Sequence, residues 1–175
     1  SCYIMSKVSS TATSQDVKWE ILNPGTFASV KVTLPPHSQI HCESDAIVTM
    51  TDHLTLTGSM RGGFFAALMR LFLTEETFFT TAVKTDKQQG GELLLAANEP
   101  GDVLLHSLTP STDLLLTRGS YVAADASVNI STKLQSRVTN AKLSGTGLFL
   151  IRAYGAGTIA CSSFGAIHKC VLVYR

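Results

Sequence analysis

Apolar residues in this chain fall in short runs, mostly at alternate positions, broken roughly every 8 to 12 residues by Gly, Pro, Asn or Asp. Phe27, Val30, Val32 and Leu34 end at Pro35-Pro36; Ile40 and Cys42 follow, then Ala46, Val48 and Met50. Leu54 and Leu56 alternate with Thr55 and Thr57, and later runs lie at 93–95, 103–105, 114–116, 121–123, 148–151 and 170–173. A period of two places every second side chain on one face, and β-branched partners suit the other face of a half-buried strand. The spacing predicts an all-β chain, an antiparallel sandwich or barrel.

The pattern also recurs within the chain. Pro35, Ile40, Ser44, Ile47 and Val48 are answered 75 residues on by Pro110, Leu115, Gly119, Val122 and Ala123. Leu73-Thr74, Thr77 and Phe78-Phe79 match Leu143-Ser144, Gly147 and Leu148-Phe149. Gly91 matches Gly157, and Pro100-Gly101-Asp102-Val103 matches Phe164-Gly165-Ala166-Ile167. The expected organisation is a flexible arm over 1–16, rich in Ser and Thr, and a single β-domain over 17–175. That domain would hold two repeats, about 30–104 and 105–173.

One stretch departs from the β pattern. After Gly62-Gly63, the residues Phe64, Phe65, Leu68, Leu71 and Phe72 have helical spacing, with Ala66, Ala67, Met69 and Arg70 between them. A short helical insert near 62–73 is expected, too short to cross a bilayer and too apolar to lie bare on a monomer. Phe64, Phe65, Leu68, Met69, Leu71 and Phe72 are therefore the candidate interaction surface, with a helix capping the open end of the sandwich as the alternative.

Chemical constellations give no enzyme. His37, His41 and Glu43 have the wrong spacing for a cupin-type metal site, and Pro36 puts His37 at a turn. There is no Gly-x-Ser-x-Gly elbow and no phosphate-cradling glycine loop; Gly155-Ala156-Gly157 reads as a hairpin turn needing positive φ. Glu75 and Glu76 are adjacent, so on a strand they face opposite ways. No catalytic residue, metal ligand or cofactor is assigned.

A net charge of +1, with 45% apolar and 15% charged residues, gives no electrostatic case for nucleic acid or an anionic membrane. Such low charge suits a large core or a surface covered by another subunit. Cys2, Cys42, Cys161 and Cys170 form no CxxC pair and are expected as free thiols in a reducing compartment. Cys161 and Cys170 could alternatively bridge a hairpin around Phe164-Gly165-Ala166. Neither a transmembrane stretch nor a secretory signal is legible, so secretion is not expected.

Several ordered strings carry a resemblance. They are Glu43-Ser44-Asp45-Ala46-Ile47-Val48-Thr49-Met50, Gly58-Ser59-Met60-Arg61-Gly62-Gly63-Phe64-Phe65 and Glu75-Glu76-Thr77-Phe78-Phe79. Pro100-Gly101-Asp102, Arg118-Gly119-Ser120-Tyr121-Val122-Ala123 and Gly145-Thr146-Gly147-Leu148-Phe149-Leu150 complete the set. Together they resemble the "altered inheritance of mitochondria" β-domain family, over roughly 27–173.

The resemblance implies a TRAP-like fold, shared with the tryptophan RNA-binding attenuator protein. Such a fold is a β-sandwich or β-prism of the double-stranded β-helix type, in repeated units that often form oligomers. It implies no established catalysis, and a role in organising the mitochondrial inner membrane in eukaryotes. From it follow a homo-oligomer, a membrane-associated protein partner, and a mitochondrial location, or a cytoplasmic one in bacteria. Family members continue past the position of Val171-Leu172-Val173 into a third repeat-like segment, which makes this chain a short or trimmed form by expectation. A small apolar-ligand or lipid-binding β-domain is the alternative function, with RNA binding behind it.

Overall fold

A computed structural model describes residues 16–59, 80–86, 88–134 and 149–170. Residues 1–15 of the arm, the segment holding Phe64, Phe65, Leu68, Met69, Leu71 and Phe72, and the matches at 73–79 and 143–148 lie outside these residues.

The described residues form thirteen strands. They are β1 (Lys18–Leu22), β2 (Ser29–Leu34), β3 (Gln39–Glu43), β4 (Ile47–Met50), β5 (Thr55–Ser59), β6 (Thr80–Lys84) and β7 (Gly91–Ala96). After them come β8 (Gly101–Leu108), β9 (Leu114–Leu116), β10 (Tyr121–Asp125), β11 (Val128–Leu134), β12 (Phe149–Gly155) and β13 (Gly157–Phe164). Single 3-10 turns at Ser44–Ala46 and Arg118–Ser120 lead into β4 and β10. The chain is all-β, and every pairing among these described strands is antiparallel.

Three sheets run in the orders β1-β2-β7-β4, β5-β6-β3-β10-β13-β8 and β11-β12-β9. The six-stranded sheet feeds two cores. Ile40, Cys42, Val83, Val122, Ala123 and Ala160 join Val30, Val32, Leu34, Leu93 and Leu95 of the first sheet. Tyr121, Ala124, Ile159 and Cys161 join Val128, Ile151 and Ala153 of the third. Period two puts Ala123 and Ala124 on opposite faces, so β10 is buried on both sides.

The pairing scheme runs through twice. β4 and β2 flank β7 as β10 and β8 flank β13. Likewise β3 and β5 flank β6 as β9 and β11 flank β12. The register break in β4 falls between Ile47 and Thr49, and that in β10 between Tyr121 and Ala123. Smaller contacts follow suit: Glu92 N donates to Thr51 Oγ1, and Thr158 N donates to Asp125 Oδ2. The registers align the two schemes at a spacing of 74 rather than 75, with Ile40 against Val83 answered by Leu114 against Ala153. That slip of one residue reverses the face of β9, so Leu115 takes the place of His41, not of Ile40.

Other differences from the sequence reading are physical. Of Ala46, Val48 and Met50, only Ala46 is buried, because Val48 and Met50 lie on β4, which has no outer neighbour among the described residues. Gly155 and Gly157 do have positive φ, at 110° and 147°. They make no hairpin, however: β12 and β13 belong to different sheets, and the glycines carry the chain across between them.

Candidate interaction edges

The candidate site is a pair of strand edges. β3 and β10 lie side by side, with Ala123 opposite Cys42, Ala124 opposite His41 and Asp125 opposite Ile40. All six of their core positions from Ile40 to Cys42 and from Val122 to Ala124 are buried. β4 occupies the place of β10 in the first scheme, and β9 that of β3 in the second, yet neither has an outer neighbour among the described residues. The exposures differ accordingly. Val48 is 55% exposed where Val122 is 1%, and Met50 and Leu115 are 39% and 50% exposed.

Edge strands normally defend themselves with charge, proline or a bulge. β1 carries Lys18 and Glu20. β4 (Ile47-Val48-Thr49-Met50) and β9 (Leu114-Leu115-Leu116) carry no charge and no proline. The bulge in β4 is no defence either, since β10 has the same bulge and is paired.

A second exposed apolar feature is the pair Phe27 and Phe164, 74% and 76% exposed. Phe27 bridges Gly101, which in turn bridges Gly165.

The sequence-derived constellations do not gather into a centre. His37 turns at φ 61°, while His41 is buried and its Nε2 lies 3.1 Å from Gln39 Nε2. Among the described residues no three His, Cys, Asp or Glu stand close enough to hold a metal. Cys42, Cys161 and Cys170 are free, the first two buried and the last exposed.

Burial pushes both the Cys42 and Cys161 thiols from 9.0 up to about 12. The fold therefore favours the protonated thiols. Their contribution to stability is whole below pH 9.0 and is lost as pH rises toward about 12. Alkaline urea titrations are expected to show a fall across that window that is shallower in Cys42→Ala and Cys161→Ala. A thiol-reactive dye at mildly alkaline pH is expected to leave Cys42 and Cys161 unmodified until denaturant is added.

The sheets are tied by Asp125, whose Oδ1 accepts from Trp19 Nε1 at 3.0 Å while Oδ2 accepts from Thr158 N at 2.6 Å. Asp125→Ala removes both bonds and is expected to cost roughly 1–3 kcal/mol. Trp19 is the single tryptophan, so a red-shifted emission maximum in the folded protein is the check.

The comparisons with known proteins agree with this architecture. The model of the family described as mitochondrial biogenesis AIM24 matches residues 19–174. The chain belongs to that family. An uncharacterised protein of Streptococcus pyogenes serotype M6 is 29% identical over 153 residues, covering 83% of this chain and 60% of its own length. A crystal structure of a Streptococcus pyogenes protein superposes with a TM-score of 0.70 at 26% identity, covering 90% of this chain and 69% of that one. The chain thus spans about 60% of the length of the curated relative it matches. No described helix of this AIM24-family chain is long and apolar enough to cross a membrane, which leaves strand-spanning barrels unaddressed.

Phe27, Val48, Met50, Leu56, Leu104 and Leu115 are the described apolar residues that sequence reasoning missed as surface. Their apolar character read as core. The usable signal was the absence of charge along 47–50 and 114–116.

Proposed function

We propose that this domain is a non-catalytic, self-associating scaffold module of the AIM24 family. It is built from two copies of one unit, about 30–104 and 105–173. The twofold pairing scheme, with its matching bulges, supports the duplication. The observation that carries the self-association reading is the uncharged, apolar outer edges of β4 and β9, exposed where their counterparts β10 and β3 are buried.

The family description names mitochondrial biogenesis; in a eukaryotic cell the module would serve it by organising the mitochondrial inner membrane through a membrane-associated protein partner, and in a bacterium it would be cytoplasmic. Light scattering over a wide concentration range tests the reading. Mass rising with concentration is the expected result, and a single-chain mass throughout would overturn it. The Phe64 to Phe72 segment is tested in the same experiment. Phe64→Asp with Phe65→Asp is expected to lower the mass if that segment is a contact; an unchanged mass with a lower melting temperature would assign it to capping the sandwich.

A further inference from the structure

We propose that β9 of one copy of this chain pairs antiparallel with β4 of a second copy, in the register that β3 and β10 use within the chain. Resting on the self-association reading above, it names the surface, the partner and the alignment. Transferring the β3–β10 register to the free edges puts Thr49 opposite Leu116, Met50 opposite Leu115 and Thr51 opposite Leu114.

Three observations carry it. The internal joint shows what an edge of each kind accepts: Ala124 opposite His41 is buried from both sides, at 0% and 3% exposure. The corresponding pair, Met50 and Leu115, is apolar on both sides, and both side chains are exposed in the single chain. Finally, the backbone of β4 already has the shape that β10 has when paired. It carries the same bulge, and a polar side chain at its end, Thr51, accepts from Glu92 N as Asp125 accepts from Thr158 N. Cross-strand apolar pairs of this kind stabilise antiparallel ladders, and main-chain hydrogen bonds along the edge give the affinity.

The two edges are different surfaces, so the contact is head-to-tail and each copy keeps one edge free. That asymmetry makes the test specific. Met50→Glu disables β4 and leaves β9 intact; Leu115→Glu does the reverse, and the two altered edges repel one another in a mixture. Each variant alone is expected to lose association by about tenfold or more, because a charge lands opposite an apolar partner. Mixed in equal amounts, the intact β9 of the first and the intact β4 of the second are expected to join, giving a mass of two chains and no more.

The partial exposure of both sites predicts native melting temperatures for the variants, checked by circular dichroism. If either charge spoils folding, Met50→Thr and Leu115→Thr, both compatible with a strand, carry the same comparison. Variants that associate like the unaltered chain, or a mixture that stays single, would overturn this interface while leaving self-association standing. An unaltered chain that never associates would overturn both.

Discussion

Gly101→Ala is expected to lower the unfolding free energy by at least ~3 kcal/mol, the upper end of ordinary single substitutions. An added Cβ would stand 1.7 Å from Ser163 O, 2.8 Å from Ser163 C and 3.1 Å from Gly165 N. All three are backbone atoms, so no side chain can swing aside; the start of β8 must leave β13 instead. That same point ties three segments together, with Ala28 N donating to Gly101 O at 3.1 Å and Asp102 N donating to Gly165 O at 2.9 Å. Displacing Gly101 therefore disturbs both links. The matched control is Gly119→Ala, where the new methyl meets nothing within 4 Å and a change within about 0.5 kcal/mol is expected. Urea unfolding of the two variants side by side decides the matter, and equal midpoints would refute the close-approach account.

Tyr121 gives the second large effect. Among the described residues it is the largest fully buried side chain, at 0% exposure, and its hydroxyl donates to His41 O at 3.0 Å across 80 residues of sequence. Tyr121→Ala empties a ring-sized space in the second core and is expected to cost roughly 3–5 kcal/mol. Tyr121→Phe keeps the ring and removes only the hydrogen bond, for roughly 1–3 kcal/mol. Measuring both separates packing from polar contribution. A Tyr121→Phe variant as unstable as Tyr121→Ala would mean that the hydroxyl, not the ring, holds this region.

How much of this was legible in the sequence depends on how local the signal is. Val30, Val32, Leu34, Ile40 and Cys42 alternate, and all five are buried on strands, because period two alone fixes which side chains share a face. The turn character of His37 and the positive φ of Gly155 and Gly157 were also local, following from Pro36 and from glycine's lack of a Cβ. The edges were not legible. Val48 and Val122 are the same residue type at the same kind of bulge, yet one is 55% exposed and the other 1%. What separates them is whether a strand lies alongside, and that strand comes from about 80 residues away in the case of β3 and β10.

Sequence alone determined that this is an all-β chain of the AIM24 kind, since strand period, turn residues and ordered family motifs are written residue by residue. Tertiary structure alone decided which strands became neighbours, that β12 and β13 part into different sheets, and that 47–50 and 114–116 lie at edges. The reason is physical. Main-chain groups pair without regard to side-chain identity, so the sequence specifies strands, while the partner of each strand is set only when the sheets pack together.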